Sequence, residues 1–478
     1  SPATGVRSVS ESAVIILVAD GIRPDTLSGA LQRGEVPALA ALAAESGGHT
    51  IVTSFPSVSI VGYVPILAGR HPAAAGIPGL RWYDRARSLP AALGHARSYV
   101  GLQLRRIDRD LDPAAPTAFE LAPGTSLGMM SGVARGLAPA QRLDTGWRFG
   151  IRASWLHARG DVAGWLALDR ELGERLVHRV GRERPRFVFA AFAASDKAAH
   201  AHGHDSAAVL DGLRTVDHVV AMLRHQAERD GRWRDLHLWV VSDHGHAPIA
   251  AHEDLERFVR RLGFRVRAHP WTTPLPADVA VMVSGNAMAH LYLGLVERER
   301  RFWPTLAARW QGLADALVER PAVDLLLIPH SPTRVAVRSR TAGTAVIEFR
   351  DGRYSYRCLT GDPLALGELD SVSADEALER SASGPYPDSL VQVAALAASA
   401  RCGDLVVSAS PGWDLRARYE PVNHVSTHGA LHRDQMRVPL LLNRPAKERP
   451  LRTVDLFRSA LRVLGVAAPP AAEGRAFV

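Results

Sequence analysis

Six residues of two chemical kinds stand where apolar stretches of this chain end. They are Asp20 in "VIILVAD", Asp196 and His200 in "SDKAAHAHGHD", Asp243 and His244 in "VVSDHGHAP", and His428 in "VSTHGALHRD". Three carboxylates and three imidazoles make a ligand set for two divalent metal ions. Imidazole with carboxylate suits zinc, with manganese or iron also accommodated. Two such ions roughly 4 Å apart can clamp the attacking and leaving oxygens of a displacement at phosphorus. A nucleophile is then needed, and "SFPSVSIVGYVPILAG" (54–69) offers Ser57 and Ser59 at the front of an otherwise apolar segment. Ser59 can fill the role, because coordination to a metal lowers the pKa of a hydroxyl that is a weak nucleophile at neutral pH.

Taken singly, each residue also has a plain structural reading. Asp20 before Gly21 can cap a turn. Asp196 and His200 at i,i+4 can be a surface helix pair. Ser57 and Ser59 can close hydroxyl-backbone turns. The joint occurrence on one pattern of elements is what points to chemistry.

Those elements are strands alternating with helices. "AVIILVAD" (13–20), "RFVFAAFAASD" (186–196) and "LHLWVVSDHG" (236–245) read as fully buried strands that each end in Asp, and "RVPLLLN" (437–443) as a fourth. "VPALAALAAESG" (36–47), 205–231 and "TVDLFRSALRVLGV" (453–466) have helical spacing. The pattern predicts an α/β domain with a mostly parallel sheet, whose ligands bind beyond the carboxyl ends of the strands. Residues 335–361 alternate about a D-G turn, which predicts antiparallel hairpins. The expected organisation is a core of 10–265 and 415–478 with an inserted cap or subdomain at 266–414. The tail "GVAAPPAAEGRAFV" is expected to pack loosely.

Composition bounds the alternatives. The chain has 478 residues, 47% of them hydrophobic, enough for a large core, and no apolar run of membrane-spanning length. It begins at Ser1 rather than Met, which reads as a processed or trimmed form. The net charge of +8 raises nucleic-acid binding as a different class of function. The basic residues are scattered, however, and nearly all are arginine; Lys197 and Lys447 are the only lysines. Specific nucleic-acid binding is therefore not expected. Cys358 and Cys402 permit one bridge but do not imply it.

In order along the chain, "VIILVADG", "PSVSIVGYVPILAG", "HPAAAGI", "DKAAHAHG", "SDHG" and "THGALHRDQMRVPLLL" resemble the alkaline phosphatase superfamily, specifically its nucleotide pyrophosphatase/phosphodiesterase branch. The resemblance runs from about residue 13 to the closing helix. It implies an alkaline-phosphatase-like sandwich with a central mostly parallel sheet. It also implies one metal on Asp196, His200 and His428, and another on Asp20, Asp243 and His244. Ser59 falls where the family has its nucleophile, opening a helix at whose N-terminus a phosphate is welcome. The Cys/Ser-x-Pro-x-Arg signature of the related sulfatases is absent. Relatives are often exported, which favours an exported or periplasmic location and leaves the compartment open.

Two positions depart from the pattern. In "GIPGLRWYDR" (76–85), Leu80 replaces an Asn that holds a phosphate oxygen in the family, with Arg81 next to it as a possible substitute. Lys197 lies inside the metal motif, where it either faces solvent or contacts the phosphoryl group. With no evident clamp for a second negative charge, the expected reaction is hydrolysis of phosphodiesters through a phosphoseryl intermediate, neutral triesters and phosphonate esters included. The alternative is a phosphomonoesterase using Lys197 and Arg81. A non-catalytic descendant is disfavoured because no ligand is lost.

Overall fold

A computed structural model describes residues 12–87, 96–270 and 276–478. Its centre is a six-stranded sheet of β1 (Ala13–Ala19), β2 (His49–Val52), β3 (Ser126–Met129), β4 (Phe187–Phe192), β5 (Leu236–Val241) and β6 (Arg437–Leu442), in the order β2-β6-β5-β1-β4-β3. β1 pairs in parallel with β4, Val14 opposite Phe187, and with β5, Ala13 opposite Leu236; β3 pairs in parallel with β4. β6 lies between β2 and β5 and runs antiparallel to both, so the fourth expected strand is set inside the sheet against the direction of the rest.

Every residue of β1 and β4 is buried, as a strand covered on both faces requires. Alternation divides β1 between two cores. Ala13, Ile15 and Leu17 pack with Leu39 and Leu42 of α1 (Pro37–Ser46), Leu172 and Leu176 of α4 (Val162–Glu183) and Val216 and Val220 of α6 (Ala207–Arg229). Val14, Ile16 and Val18 pack with Val64 and Leu67 of α2 (Tyr63–Ala68) and Phe457 and Leu461 of α7 (Asp455–Val463). The result is a helix–sheet–helix sandwich, with α3 (Trp147–Arg159) and α5 (Ala194–His202) flanking it. Each fully buried Val, Ile or Leu contributes roughly 1.5–3 kcal/mol to holding these layers.

A second sheet of nine strands is built wholly from residues between Val266 and Ala409. Its pairs are antiparallel except Val266–Ala268 with Val279–Ser284. The hairpin Gly343–Arg350/Arg353–Cys358 turns at Asp351 and Gly352, both in the left-handed region at φ 51° and 72°, as a tight D-G turn demands.

The C-terminal tail is tied down rather than loose. Phe477 is fully buried against the Trp239 ring, and Glu473 accepts from the backbone and the ring of His71. Apolarity and proline in the sequence hid these anchors. Cys358 and Cys402 are free thiols, and no helix among the described residues is long and apolar enough to cross a membrane.

Candidate active site

β1, β4 and β5 run in parallel and end at one edge of the sheet, where they deliver Asp20, Asp196 and Asp243. Asp20 follows β1 directly, and Asp243 follows β5 with Ser242 between. Asp196 does not end a strand as expected: β4 stops at Phe192, and Asp196 lies in the first turn of α5 with His200 one turn further on. The i,i+4 spacing puts both on the face turned toward Asp20 and Asp243.

Ser59 reaches the same point from the other side. Its Oγ is 3.0 Å from Asp20 Oδ1 and 2.9 Å from His244 Nε2. It does not open a helix as expected. Ile60 sits at φ 71°, a left-handed conformation that a β-branched residue adopts only under constraint, and α2 starts at Tyr63. Ser59 is thus presented on a strained turn. Tyr63 donates to Asp20 Oδ2 at 3.0 Å; burial and the Asp20 and Asp243 charges push its phenol well above its ordinary pKa, so it stays a donor. Ser57 points away: it donates to the Ala430 carbonyl and accepts from the Gly429 amide.

The tautomers of the histidines follow from their partners. Nδ1 of His200 faces the Ser426 carbonyl, that of His428 the Ser57 carbonyl and that of His244 the Gly245 carbonyl, each at 2.9–3.0 Å. A carbonyl only accepts, so each Nδ1 carries a proton and each Nε2 turns inward, bare on His200 and His428. His246, which the sequence reading passed over, completes the group. Its Nδ1 meets Ser426 Oγ, whose own proton goes to the Ala247 carbonyl, and its Nε2 lies 2.9 Å from Asp196 Oδ1. His200 and His428 bring their Nε2 atoms to 3.4 and 3.5 Å from the same oxygen and 3.1 Å from each other. The His-Gly-His spacing at the end of β5 was the signal available for His246.

Burial disfavours the charged form of all three rings and lowers their pKa values, to about 3 for His246. Three neutral acceptors therefore confront a carboxylate with no proton between them. Such an arrangement is costly until a cation fills it. Asp196 stays ionised: burial opposes its charge, but Lys197, with Nζ at 2.7 Å, and His200 hold its pKa well below the usual carboxylate range. On the other side, burial and the Asp20 charge push Asp243 up, and its Oδ2 has no hydrogen-bond partner. His244 is raised to about 10, burial being outweighed by Asp243 and Asp20, so in the metal-free protein a proton there supplies the positive charge.

The donor atoms fall into two overlapping buried groups: Asp196, His244, His246 and His428, and Asp20, Asp243 and His244. His200 adjoins the first. This donor set fits divalent metal, with imidazole prominent in one group and carboxylate in the other. All seven proposed metal and nucleophile residues of the sequence reading are brought to this point. Gly21, at φ 73°, has no room for a side chain; a Cβ would lie 2.8 Å from the His246 ring.

The three candidate substrate residues are placed differently. Lys197 is beside Asp196 with its side chain about a third exposed. Arg81 is buried, hydrogen-bonded to Ser98 Oγ and the Val283 carbonyl, within electrostatic range of Glu420 and Arg416. Leu80 packs against the hydrophobic core that contains Trp82.

A mostly parallel α/β sandwich with buried carboxylates and imidazoles gathered at its strand ends fits a metal-dependent phosphoric ester hydrolase. Residues 14–431 match the family model described as type I phosphodiesterase / nucleotide pyrophosphatase, and the chain belongs to that family. Among solved structures it is similar to phosphonoacetate hydrolase from Sinorhizobium meliloti 1021 in complex with phosphonoacetate, at 16% identity, TM-score 0.57, and 95% and 96% coverage of the two chains. It is similar to murine ectonucleotide pyrophosphatase / phosphodiesterase 5 at 13% identity, TM-score 0.56, and 98% and 97% coverage. The human form of that protein gives 12%, 0.56, and 97% of both chains. No curated protein matches the chain. These likenesses carry the fold; the family match carries the class of reaction.

Proposed function

We propose that the chain hydrolyses small phosphodiesters through a phosphoseryl intermediate on Ser59, with two divalent ions, zinc favoured and manganese admissible. The observation that carries this reading is the position of Ser59 Oγ between Asp20 Oδ1 and His244 Nε2. Asp196, His200 and His428, with His246 beside them, would hold one ion, and Asp20, Asp243 and His244 the other. Bound there, divalent cations would supply Lewis acidity, lowering the Ser59 pKa and offsetting charge on the phosphoryl oxygens.

Ser59 Oγ attacks phosphorus, its proton passing to solvent, and the ester alcohol leaves with a proton. Water then attacks the same phosphorus, breaks the Oγ–P bond and returns a proton to Ser59, releasing the phosphate monoester. Asp20, itself held by Tyr63, accepts from the hydroxyl and orients it, and the Ile60 turn fixes its direction. Lys197 would meet a phosphoryl oxygen at the rim, and residues 266–414 would form a separate cap.

Diesters are favoured because the Lys197 ammonium is already paired with Asp196 and Arg81 is bound to Ser98 and Val283, so a second phosphate charge has no evident clamp. Triesters and phosphonate esters are admitted by the same reasoning. A phosphomonoesterase is the second reading, favoured by the partly exposed Lys197 ammonium and the nearby Arg81. Rates on aryl phosphate monoester, diester and triester series sharing one leaving group, with zinc or manganese added, decide between them. A higher kcat/KM for the diester is expected, and a preference for the monoester would reverse the assignment.

A further inference from the structure

α3 shows an unusual outer face. Trp147, Ile151 and Trp155 are 71%, 62% and 60% exposed and stand at i, i+4 and i+8, so they form one stripe. The inner side of the helix is conventional, with Leu156 in the core and Phe149 and Ala153 packed against it. A surface helix ordinarily sets polar residues on the outside, and water-soluble chains seldom leave a contiguous apolar strip uncovered.

The charge on this helix has one sign. The sequence WRFGIRASWLHAR holds three arginines and no Asp or Glu. Arg148 lies over the Trp147 ring and Arg159 over the Trp155 ring, while Arg152 pairs with Glu171 of α4. Indole rings beside guanidinium groups suit a boundary that is apolar on one side and anionic on the other.

The stripe stands beside the catalytic edge. His157, turned away from the stripe, is within electrostatic range of Lys197, Glu420, Arg81 and Asp196. Val422 lies against Gly160 at the helix end, and the 416–425 segment it belongs to exposes Tyr419 and Val425, the latter donating its amide to the His200 carbonyl.

We propose that α3 docks this enzyme on an anionic lipid surface, with Trp147, Ile151 and Trp155 seated at the headgroup level and Arg148 and Arg159 meeting lipid phosphates. A second copy of the chain fits less well, because a two-fold contact would set the same arginines against each other. Single-stranded nucleic acid also fits less well. It would want the guanidinium groups along the centre of the strip, where Ile151 stands between the two indoles. Docking does not depend on which ester the site cleaves.

The test is cosedimentation of the full-length, metal-loaded protein with vesicles of phosphatidylglycerol and phosphatidylcholine, and with vesicles of phosphatidylcholine alone, at low salt. The wild type should pellet with the anionic vesicles only. The triple variant Trp147→Ser, Ile151→Ser, Trp155→Ser should partition at least about tenfold less, and Arg148→Gln with Arg159→Gln should weaken the salt-sensitive part. Both variants should melt as the wild type does and turn over a soluble aryl phosphodiester within about twofold of it. Absence of wild-type binding, or binding that the triple variant retains, overturns the proposal. A wild-type dimer that the triple variant dissolves, or tighter binding to a single-stranded oligonucleotide than to the vesicles, overturns it in favour of those partners.

Discussion

His246 Nε2 lies 2.9 Å from Asp196 Oδ1, across a gap that neither group bridges with a proton of its own. The ring is fully buried and its other nitrogen is fixed on Ser426. That relationship extends the donor group around Asp196 beyond the residues that the family resemblance supplies. It also ties the end of β5 to the first turn of α5, so two elements from different parts of the chain share one charge.

His246 should therefore matter to metal retention. Replacing a residue that orients a ligand, or adds one, typically costs about 10–100-fold in metal affinity. His246→Ala should lose that much at the weaker site in zinc titration, and His246→Gln, which can still meet Asp196, less. Wild-type metal affinity in both variants would make His246 a packing residue.

Ser57 and Ser59 should separate cleanly. Ser57→Ala leaves the Gly429 amide and the Ala430 carbonyl without their buried partner, a cost of about 1–3 kcal/mol in stability. Its turnover per folded molecule should stay near that of the wild type. A thermally normal Ser57→Ala protein with no activity would move the nucleophile to position 57.

Asp169 should give the metal-free protein a pH-dependent stability. Its side chain is buried, accepts the Ala194 amide at the start of α5 and leaves Oδ1 unpartnered; burial raises its pKa to about 7. The folded state therefore holds this proton more tightly than the unfolded chain, whose Asp titrates near 4. The stabilisation is whole below about pH 4 and is lost as pH rises to about 7, a change of about 4 kcal/mol for this group. Asp169→Asn should escape it. The melting-temperature difference between wild type and variant, measured in chelator, should shift in favour of the variant across that range. A constant difference would show that Asp169 does not titrate there.

The two candidate substrate positions Leu80 and Lys197 should differ in kind. Leu80→Asn places an amide against the core that contains Trp82 and should cost about 1–3 kcal/mol in stability, with little change in the ratio of diester to monoester kcat/KM. Lys197→Met removes a cation 2.7 Å from Asp196 Oδ2 and should damage monoester turnover more than diester turnover. A narrowed ratio in Leu80→Asn at wild-type stability would return a substrate role to position 80.

Much of this was legible in the chain because buried parallel strands are written as unbroken apolar runs, and an Asp at the end of such a run stands out. Asp20 and Asp243 were found that way. Asp196 was found with its element boundary misplaced, since alanines continue from β4 into α5 without a break in hydrophobicity. The direction of β6 was hidden, because an apolar hexamer reads the same in either orientation. The turn at Ser59 was hidden too, since the left-handed backbone of Ile60 is imposed by tertiary contacts and not by Ile itself. His246 lacked any partner close in sequence: Asp196 is 50 residues away and Ser426 is 180.

The central claim is that Ser59 carries the phosphoryl group during turnover. Acid quenching of the metal-loaded enzyme during hydrolysis of an aryl phosphodiester, followed by mass spectrometry of the peptide containing Ser59, tests it most directly. A phosphoryl-ester adduct on Ser59, absent from a Ser59→Ala protein that keeps its metal and loses several kcal/mol of transition-state stabilisation, is the predicted result. Full turnover with no adduct, and an active Ser59→Ala protein, would contradict it.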